Sequence, residues 1–308
     1  MGRRKKGDAV SGWVIVDKPV GPTSTDVVTR IRRLYNAQKA GHAGTLDPLA
    51  SGILPVALGE ATKTVPYILD ATKAYRFTIR FGVSTASDDA EGSVTGTSDK
   101  RPTAAEIEAA LPAFTGEISQ VPPAFSAIKI DGERAYDLAR AGEAVELKAR
   151  PVTIYSARLL GMPDADHAEL EISCSKGTYV RSLARDLALA LGCFGHVSAL
   201  RRIGHGPFTE ASAIPLDKLL GIGHIPPASE TLRTHLLPLE TALDDIPALA
   251  LSSEDASRLR RGQGVLLRGR DAPIFSGPVL ATHRGDPVAL TEYSQGELKP
   301  VRVFNLGS

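Results

Sequence analysis

Asp47 is the side chain whose neighbours best prepare it for chemistry. It stands before Pro48 in a stretch, residues 41–52, punctuated by Gly41, Gly44 and Gly52. The proline biases Asp47 toward an extended backbone, and the glycines let another chain or a ligand come close. A carboxylate presented in this way serves as nucleophile or base, although the same residues also write a plain Asp-Pro turn. Arg181 is the second candidate. If Thr178 caps the helix that follows it, Arg181 falls in the first turn, where the helix dipole disfavours a cation by about 0.3–1 kcal/mol. A carboxylate or a phosphate is the simplest compensation, and an arginine beside a carboxylate keeps that carboxylate ionised; the other reading is an arginine facing solvent. Tyr75 and Tyr179 read either as packing aromatics or as site residues. His42, between small residues, is either an exposed turn histidine or a ring that stacks on a base.

Motifs for bound cofactors are absent. No GxxxxGK[ST] loop, GxGxxG turn or GxSxG elbow occurs, and Cys174 and Cys193 have neither a partner at zinc-ligand spacing nor the number for a disulfide framework. Cofactor and metal are therefore both expected to be none, with the reaction carried by side chains alone. Taken in isolation, Asp47 and Asp89 would also suit a glycoside hydrolase with paired carboxylates.

The elements that must position these residues follow from periodicity. Residues 13–16 form a β-prone run, and Pro19, Gly21 and Pro22 then force a turn. Thr23 or Ser24 caps a helix reaching about Leu34, with Val27, Val28 and Ile31 inward. Residues 41–52 read as a loop. Residues 75–81 alternate strictly, with Tyr75, Phe77, Ile79 and Phe81 on one face. Thr103 and Glu106 write a capping box for a helix to about Leu111. Strands are expected at 117–121 and 126–130, and after Asp131-Gly132 a short helix over 134–141. Residues 170–174 alternate as a strand, and Leu183, Leu187 and Leu191 stripe the helix after Thr178. The pattern weakens around 226–229, and after Pro238 come short β-like runs at 265–268, 279–281, 288–291 and 301–304. Strands and helices without a βαβ repeat predict an α+β fold around a mixed, mainly antiparallel sheet. The predicted division is a catalytic domain over 1–237 and a small β-rich domain over 238–308.

The chain has 308 residues and a net charge of +1, which at first argues against a polyanionic partner. The average conceals segregation. Residues 1–40 carry nine basic and three acidic groups, residues 173–205 five and one, and residues 258–270 five arginines and no acid. Segregated basic surface is the electrostatic footprint of a phosphate-backbone binder, although a charge run is also the ordinary composition of a solvated face. No apolar run approaches the roughly 18 residues of a membrane span, and Arg3 to Lys6 are followed by no apolar signal segment, so no membrane partner and a cytoplasmic location are expected.

The ordered motifs resemble one family. Gly12, Asp17, Lys18, Pro19, Gly21, Thr23 and Ser24, then the Ala40 to Gly52 segment containing Asp47, then Gly59 to Lys63, are similar to the N-terminal motifs of the bacterial tRNA pseudouridine synthase B (TruB) family. Pro122, Pro123, Phe125, Ser126, Lys129, Gly132, Arg134 and Tyr136 continue the likeness, as do Cys174 to Asp186. The resemblance implies isomerisation of the uridine at position 55, in the TΨC loop of tRNA, to pseudouridine without cofactor or metal. It implies Asp47 as catalytic nucleophile, Tyr75 as the tyrosine stacked on the base and Arg181 as the partner of the aspartate. His42, Tyr179 and Leu200 match positions that contact RNA or the target nucleoside, Asp89 a substrate-binding position, and Lys18 with Pro19 a mainly structural motif within the substrate-binding set. The family commonly has Thr-Asp-Thr-x-Asp where this chain has Thr85, Ala86, Ser87, Asp88 and Asp89. The implied fold is the pseudouridine synthase sheet with flanking helices and a PUA-like RNA-binding C-terminal domain, in a monomer. Two other readings are a guide-RNA-dependent pseudouridine synthase of the same superfamily and a non-catalytic tRNA-folding protein.

Overall fold

The computed structural model describes residues 7–126, 129–130, 133–134, 147–223, 230–267 and 273–306. Its strands are β1 (Gly12–Lys18), β2 (Ala40–His42), β3 (Ala50–Leu58), β4 (Lys73–Phe81), β5 (Val83–Thr85), β6 (Val94–Thr97), β7 (Gly116–Gln120), β8 (Lys129–Ile130), β9 (Glu133–Arg134), β10 (Arg150–Asp164), β11 (His167–Cys174), β12 (Gly195–His205), β13 (Phe208–Thr209), β14 (Ile214–Pro215), β15 (Ala248–Ala250), β16 (Val265–Leu266), β17 (Gly277–His283), β18 (Asp286–Ser294) and β19 (Glu297–Val303). The large sheet runs β14-β1-β3-β12-β4-β11-β10-β7, with β2 on β3 and β13 on β12. Within it the described pairings are antiparallel except β1 with β14 and β3 with β12. The fold is thus α+β with a mixed, mainly antiparallel sheet, as the element pattern predicts.

Strand β4 shows why. Its alternation buries Tyr75, Phe77, Ile79 and Phe81 in the main core, while Arg76 and Arg80 stay exposed. Helix α1 (Ser24–Leu34) opens on a capping box made by Thr23 and Asp26 and buries Val27 and Ile31. Helix α2 (Val65–Leu69) is short, and α3 (Ala104–Ala110) opens on the Thr103–Glu106 capping box. Helix α4 (Val180–Ala190) lays Leu183 and Leu187, with Leu191 just beyond it, into the same core as β4.

Three local expectations are corrected. The loop over 41–52 is shorter, because β2 pairs with β3 and residues 43–49 alone remain outside strands. Thr178 does not cap α4; Tyr179 is the N-cap, its N–H donates to Gln120 Oε1 at 2.8 Å, and Arg181 still lies in the first turn. Arg134 belongs to β9, paired with Lys129 of β8 rather than opening a helix. Residues 135–141 of that predicted helix, residues 224–229 and the Arg3 to Lys6 segment lie outside the described residues.

A second sheet, β15-β17-β18-β19-β16, packs with helix α7 (Ser253–Arg260), reached through α5 (Leu216–Gly221) and α6 (Glu230–Arg233). Leu280 and Leu290 from this sheet, with Phe304 just beyond β19, share a core with Trp13, Ile15, Ile53 and Phe208 on the back of the large one. The two sheets are therefore joined through apolar surface as well as by the chain. Lys63 Nζ adds a latch by donating to Val303 O at 2.7 Å.

Candidate active site

The loop carrying Asp47 is held from below at several points. Ser24, at the start of α1, binds both backbone groups of Leu46, accepting from its N–H at 2.9 Å and donating to its carbonyl at 3.0 Å. Pro48 O accepts from Gly21 N–H at 2.8 Å and from Lys18 Nζ at 3.3 Å. The Lys18 ammonium also donates to Pro19 O and Pro22 O, both at 2.9 Å. Lys18 is fully buried and burial pushes its pKa down to about 8. It lies under the loop with its donors spent on carbonyls, so it holds the Asp47-Pro48 backbone in place. The Asp47 side chain is left 39% exposed on a rigid base.

Arg181 reaches that carboxylate from α4. Its Nη2 lies 2.9 Å from Asp47 Oδ2, and its Nη1 lies 3.3 Å from Asp89 Oδ2. The same two nitrogens donate to Phe125 O at 3.0 Å and Ser87 O at 3.1 Å. The cation that the helix start disfavours is thus offset by two carboxylates. Asp89, itself buried, is bound further by the Ser87 hydroxyl and by Glu91 N–H at 3.0 Å. Asp88 adopts a φ of 58°, which turns its carboxylate away to Arg185 Nη1 at 2.8 Å and presents Asp89 to Arg181. Burial pushes the Asp88 carboxyl upward against the opposing pull of Arg185.

The facing wall is β4 with β12. Arg202 of β12 stands directly across from Tyr75 of β4, and Leu200 from Phe77. Asp47, Arg181, Tyr75, His42, Tyr179, Leu200 and Asp89 all line one open cleft of about 1150 Å³, whereas Lys18 does not. That volume exceeds the roughly 300–1,000 Å³ of small-molecule pockets, so the cleft has room for a piece of a larger ligand. Burial pushes the Tyr75 phenol upward while Arg202 pulls it down. His42 is held toward the neutral form by burial and by Arg202. Burial also pushes the Tyr179 phenol upward.

Two lining residues, Arg202 and Lys73, are additions to the set named from sequence. The available signal for Arg202 was its place two residues after Leu200, which on a strand puts both on one face. Lys73 likewise shares the buried face of β4 with Tyr75. Among the described residues no three His, Cys, Asp or Glu side chains converge as a metal-binding group.

The chain is similar to known proteins over its whole length. The sequence model described as TruB family pseudouridylate synthase (N terminal domain) matches residues 32–180, and that of the tRNA pseudouridylate synthase B C-terminal domain matches residues 181–244. The tRNA pseudouridine synthase B of Caulobacter vibrioides is 57% identical over 99% of this chain and all of its own length. That of Brucella ovis is 53% identical over the whole of both chains. Among solved structures, a chain from an H/ACA ribonucleoprotein bound to a substrate RNA containing 2′-deoxyuridine superposes with a TM-score of 0.73 at 25% identity, covering 99% of this chain and 92% of that one. A chain of the archaeal box H/ACA Nop10–Cbf5 complex gives the same score and identity, over 99% and 93%. Full-length identity above one half, together with both halves of the family signature, places this chain in the TruB family of pseudouridylate synthases.

Proposed function

We propose that this protein converts the uridine at position 55 of the tRNA TΨC loop into pseudouridine. The observation that carries the reading is the Asp47 carboxylate, held on Arg181 at 2.9 Å and open to a cleft that Tyr75 also lines. Relatives of 53–58% identity named tRNA pseudouridine synthase B support tRNA as the substrate. Exposed Arg30, Arg32, Arg33 and Lys39, and Arg258, Arg260 and Arg261 near the second sheet, supply positive surface for phosphates. The same reading assigns residues 1–237 to catalysis and 238–308 to a PUA-like RNA-binding domain, in a cytoplasmic monomer.

A stacked loop uridine must leave its stack to enter the cleft, at a cost of a few kcal/mol. Stacking on Tyr75, worth about 1–3 kcal/mol, and phosphate contacts offset that cost. His42, held toward neutral, fills space left by the base, and Tyr179 and Leu200 border the nucleoside. Asp47, paired with Arg181, drives cleavage of the N-glycosidic bond. The freed uracil turns, C5 bonds to the sugar, and Tyr75 removes the C5 proton. Lys18 and Asp89 act from behind, one holding the loop and the other holding Arg181.

The test is tritium release from tRNA labelled at uracil C5. Asp47→Asn abolishes release while tRNA binding persists; near-normal turnover in that variant overturns the assignment. The likeness to H/ACA chains keeps guide-dependent action as a second reading. Activity of the purified chain on an unmodified tRNA transcript, without other protein or RNA, excludes it. Loss of activity in Asp47→Asn also excludes a role confined to tRNA folding.

A further inference from the structure

Arg202 is 1% exposed and one of the largest fully buried side chains of the protein. Its Nε donates to Ile53 O at 2.7 Å on β3, and its Nη2 donates to Gly44 O at 3.1 Å in the Asp47 loop. Among the described residues it makes no ion pair with a carboxylate; the group that favours its charge is Tyr75, its cross-strand partner on β4. Two carbonyls fix the fork, and Arg202 stands directly across from Tyr75 in the β4–β12 pairing, both residues lining the cleft. A buried cation left without an anion is costly, so a fold that retains one gains when an anion forms beside it. The other charged neighbours of Tyr75 do not help its ionisation. Asp47 across the cleft and Cys174 on β11 both oppose it, and Arg202 alone of the named neighbours favours it.

We propose that Arg202 is a positioning residue that acts through Tyr75: its guanidinium fixes the phenol oxygen in the cleft and stabilises the phenolate that takes the C5 proton. The inference rests on the pseudouridine synthase reading of this site. Once C5 has bonded to the sugar, the ring carries a hydrogen on sp³ C5 and a C6=N1 double bond. For this step Tyr75 must first give its phenolic proton to solvent, a loss that burial opposes and Arg202 favours. It takes the C5 proton, the C5–H electron pair becomes the C5=C6 bond, and the C6=N1 pair moves onto N1, which takes a proton from solvent. Tyr75 ends neutral, and no proton is gained or lost overall.

The experiment compares wild type, Arg202→Met and Arg202→Lys in single turnover on tRNA carrying hydrogen or deuterium at uracil C5. An adjacent cation favours an anion by about 1–3 pKa units, so removing it slows proton removal roughly 10- to 1,000-fold. Arg202→Met is slowed most and Arg202→Lys less, because lysine keeps the charge without the fork. In both, the deuterium isotope effect rises above the wild-type value while tRNA affinity is unchanged. A purely structural Arg202 would slow turnover without raising the isotope effect, and that result overturns the proposal. If Arg202→Met does not fold, Arg202→Lys decides by the same measure. Absence of pseudouridine with the wild-type protein would overturn the function itself, whereas an active wild type with an unmoved isotope effect in the variants overturns only the role of Arg202.

Discussion

Each wall of the cleft contains a buried arginine, and the protein provides for the two in opposite ways. On the α4 side, Arg181 faces Asp47 and Asp89, and Arg185 faces Asp88 and Asp186. On the β12 side, Arg202, Lys73 and His205 are all buried, and their hydrogen-bonding partners are carbonyls of Ile53, Gly44, Leu69, Ala71 and Ile68. The first wall is closed electrostatically before any ligand arrives. The second keeps cationic character that carbonyl dipoles only partly offset, which makes it the wall that gains when negative charge develops. Charge segregation is thus present inside the cleft as well as along the sequence.

The strongest way to break this contrast is to open the closed wall. Arg181→Leu leaves Asp89 buried without its cation, and breaking such a pair costs about 3–5 kcal/mol, measured by urea unfolding, with turnover lost as well. Arg181→Lys retains charge and recovers part of the stability, yet it remains severely impaired in tritium release because the two-sided fork is gone. An unchanged unfolding midpoint for Arg181→Leu would show that the wall does not depend on its ion pairs.

The second effect belongs to the opposite wall. Burial, with Arg202 and Lys73 nearby, pushes the His205 pKa down to about 3 from the ordinary 6.5. Between those values the unfolded chain binds a proton that the folded chain refuses. Stability is therefore complete above pH 6.5 and falls as the pH drops toward 3, with a slope of up to about 1.4 kcal/mol per unit from this one group. His42, pushed down by burial and Arg202, adds in the same direction. Replacing His205 by Gln flattens the dependence of the urea midpoint on pH over that window; an unaltered slope would remove His205 from the account.

The smallest effect sharpens the link between the walls. Gly44 has a φ of +81°, and a Cβ there would sit 3.2 Å from His205 Cε1 and 3.4 Å from Arg202 Nη1. Gly44→Ala costs about 1–2 kcal/mol for the left-handed backbone. It leaves the Asp47–Arg181 pair intact and presses on the Arg202 side alone. Turnover is expected to fall with tRNA binding retained; wild-type turnover would show that Arg202 tolerates displacement.

Much of the closed wall is legible in the sequence. A cation in the first turn of a helix calls for an anion, and Arg181 has two. The Thr23 and Thr103 caps, the alternation of β4 and the Leu183, Leu187, Leu191 stripe each express a local rule in full. In the other wall β4 keeps those rules and β12 breaks them. Strand β12 contains His196, Arg201, Arg202 and His205, which pattern alone assigns to surface, and they find partners from distant segments in Val83, Asp17, Ile53 and Ile68. Strand β10 is obscured for another reason. Its register shifts at Ile154/Ser156, Leu159/Gly161 and Gly161/Asp164 destroy the period of two. The Asp88 turn and the Gln120 bond at Tyr179 likewise depend on partners far away in the chain.

The placement of β12 between β3 and β4 also sets an order of assembly. Leu200 pairs with Ala50, and the chain between them must be made before that contact can form. At synthesis rates of roughly 5–20 residues per second, the Asp47 loop waits about 8–30 s for its neighbour. Until then the facing edges of β3 and β4 have no strand between them, and Ile53, Gly44 and Tyr75 lack Arg202. The nascent protein therefore passes through an interval in which the inner edges of β3 and β4 are unpaired and open to pairing with another chain.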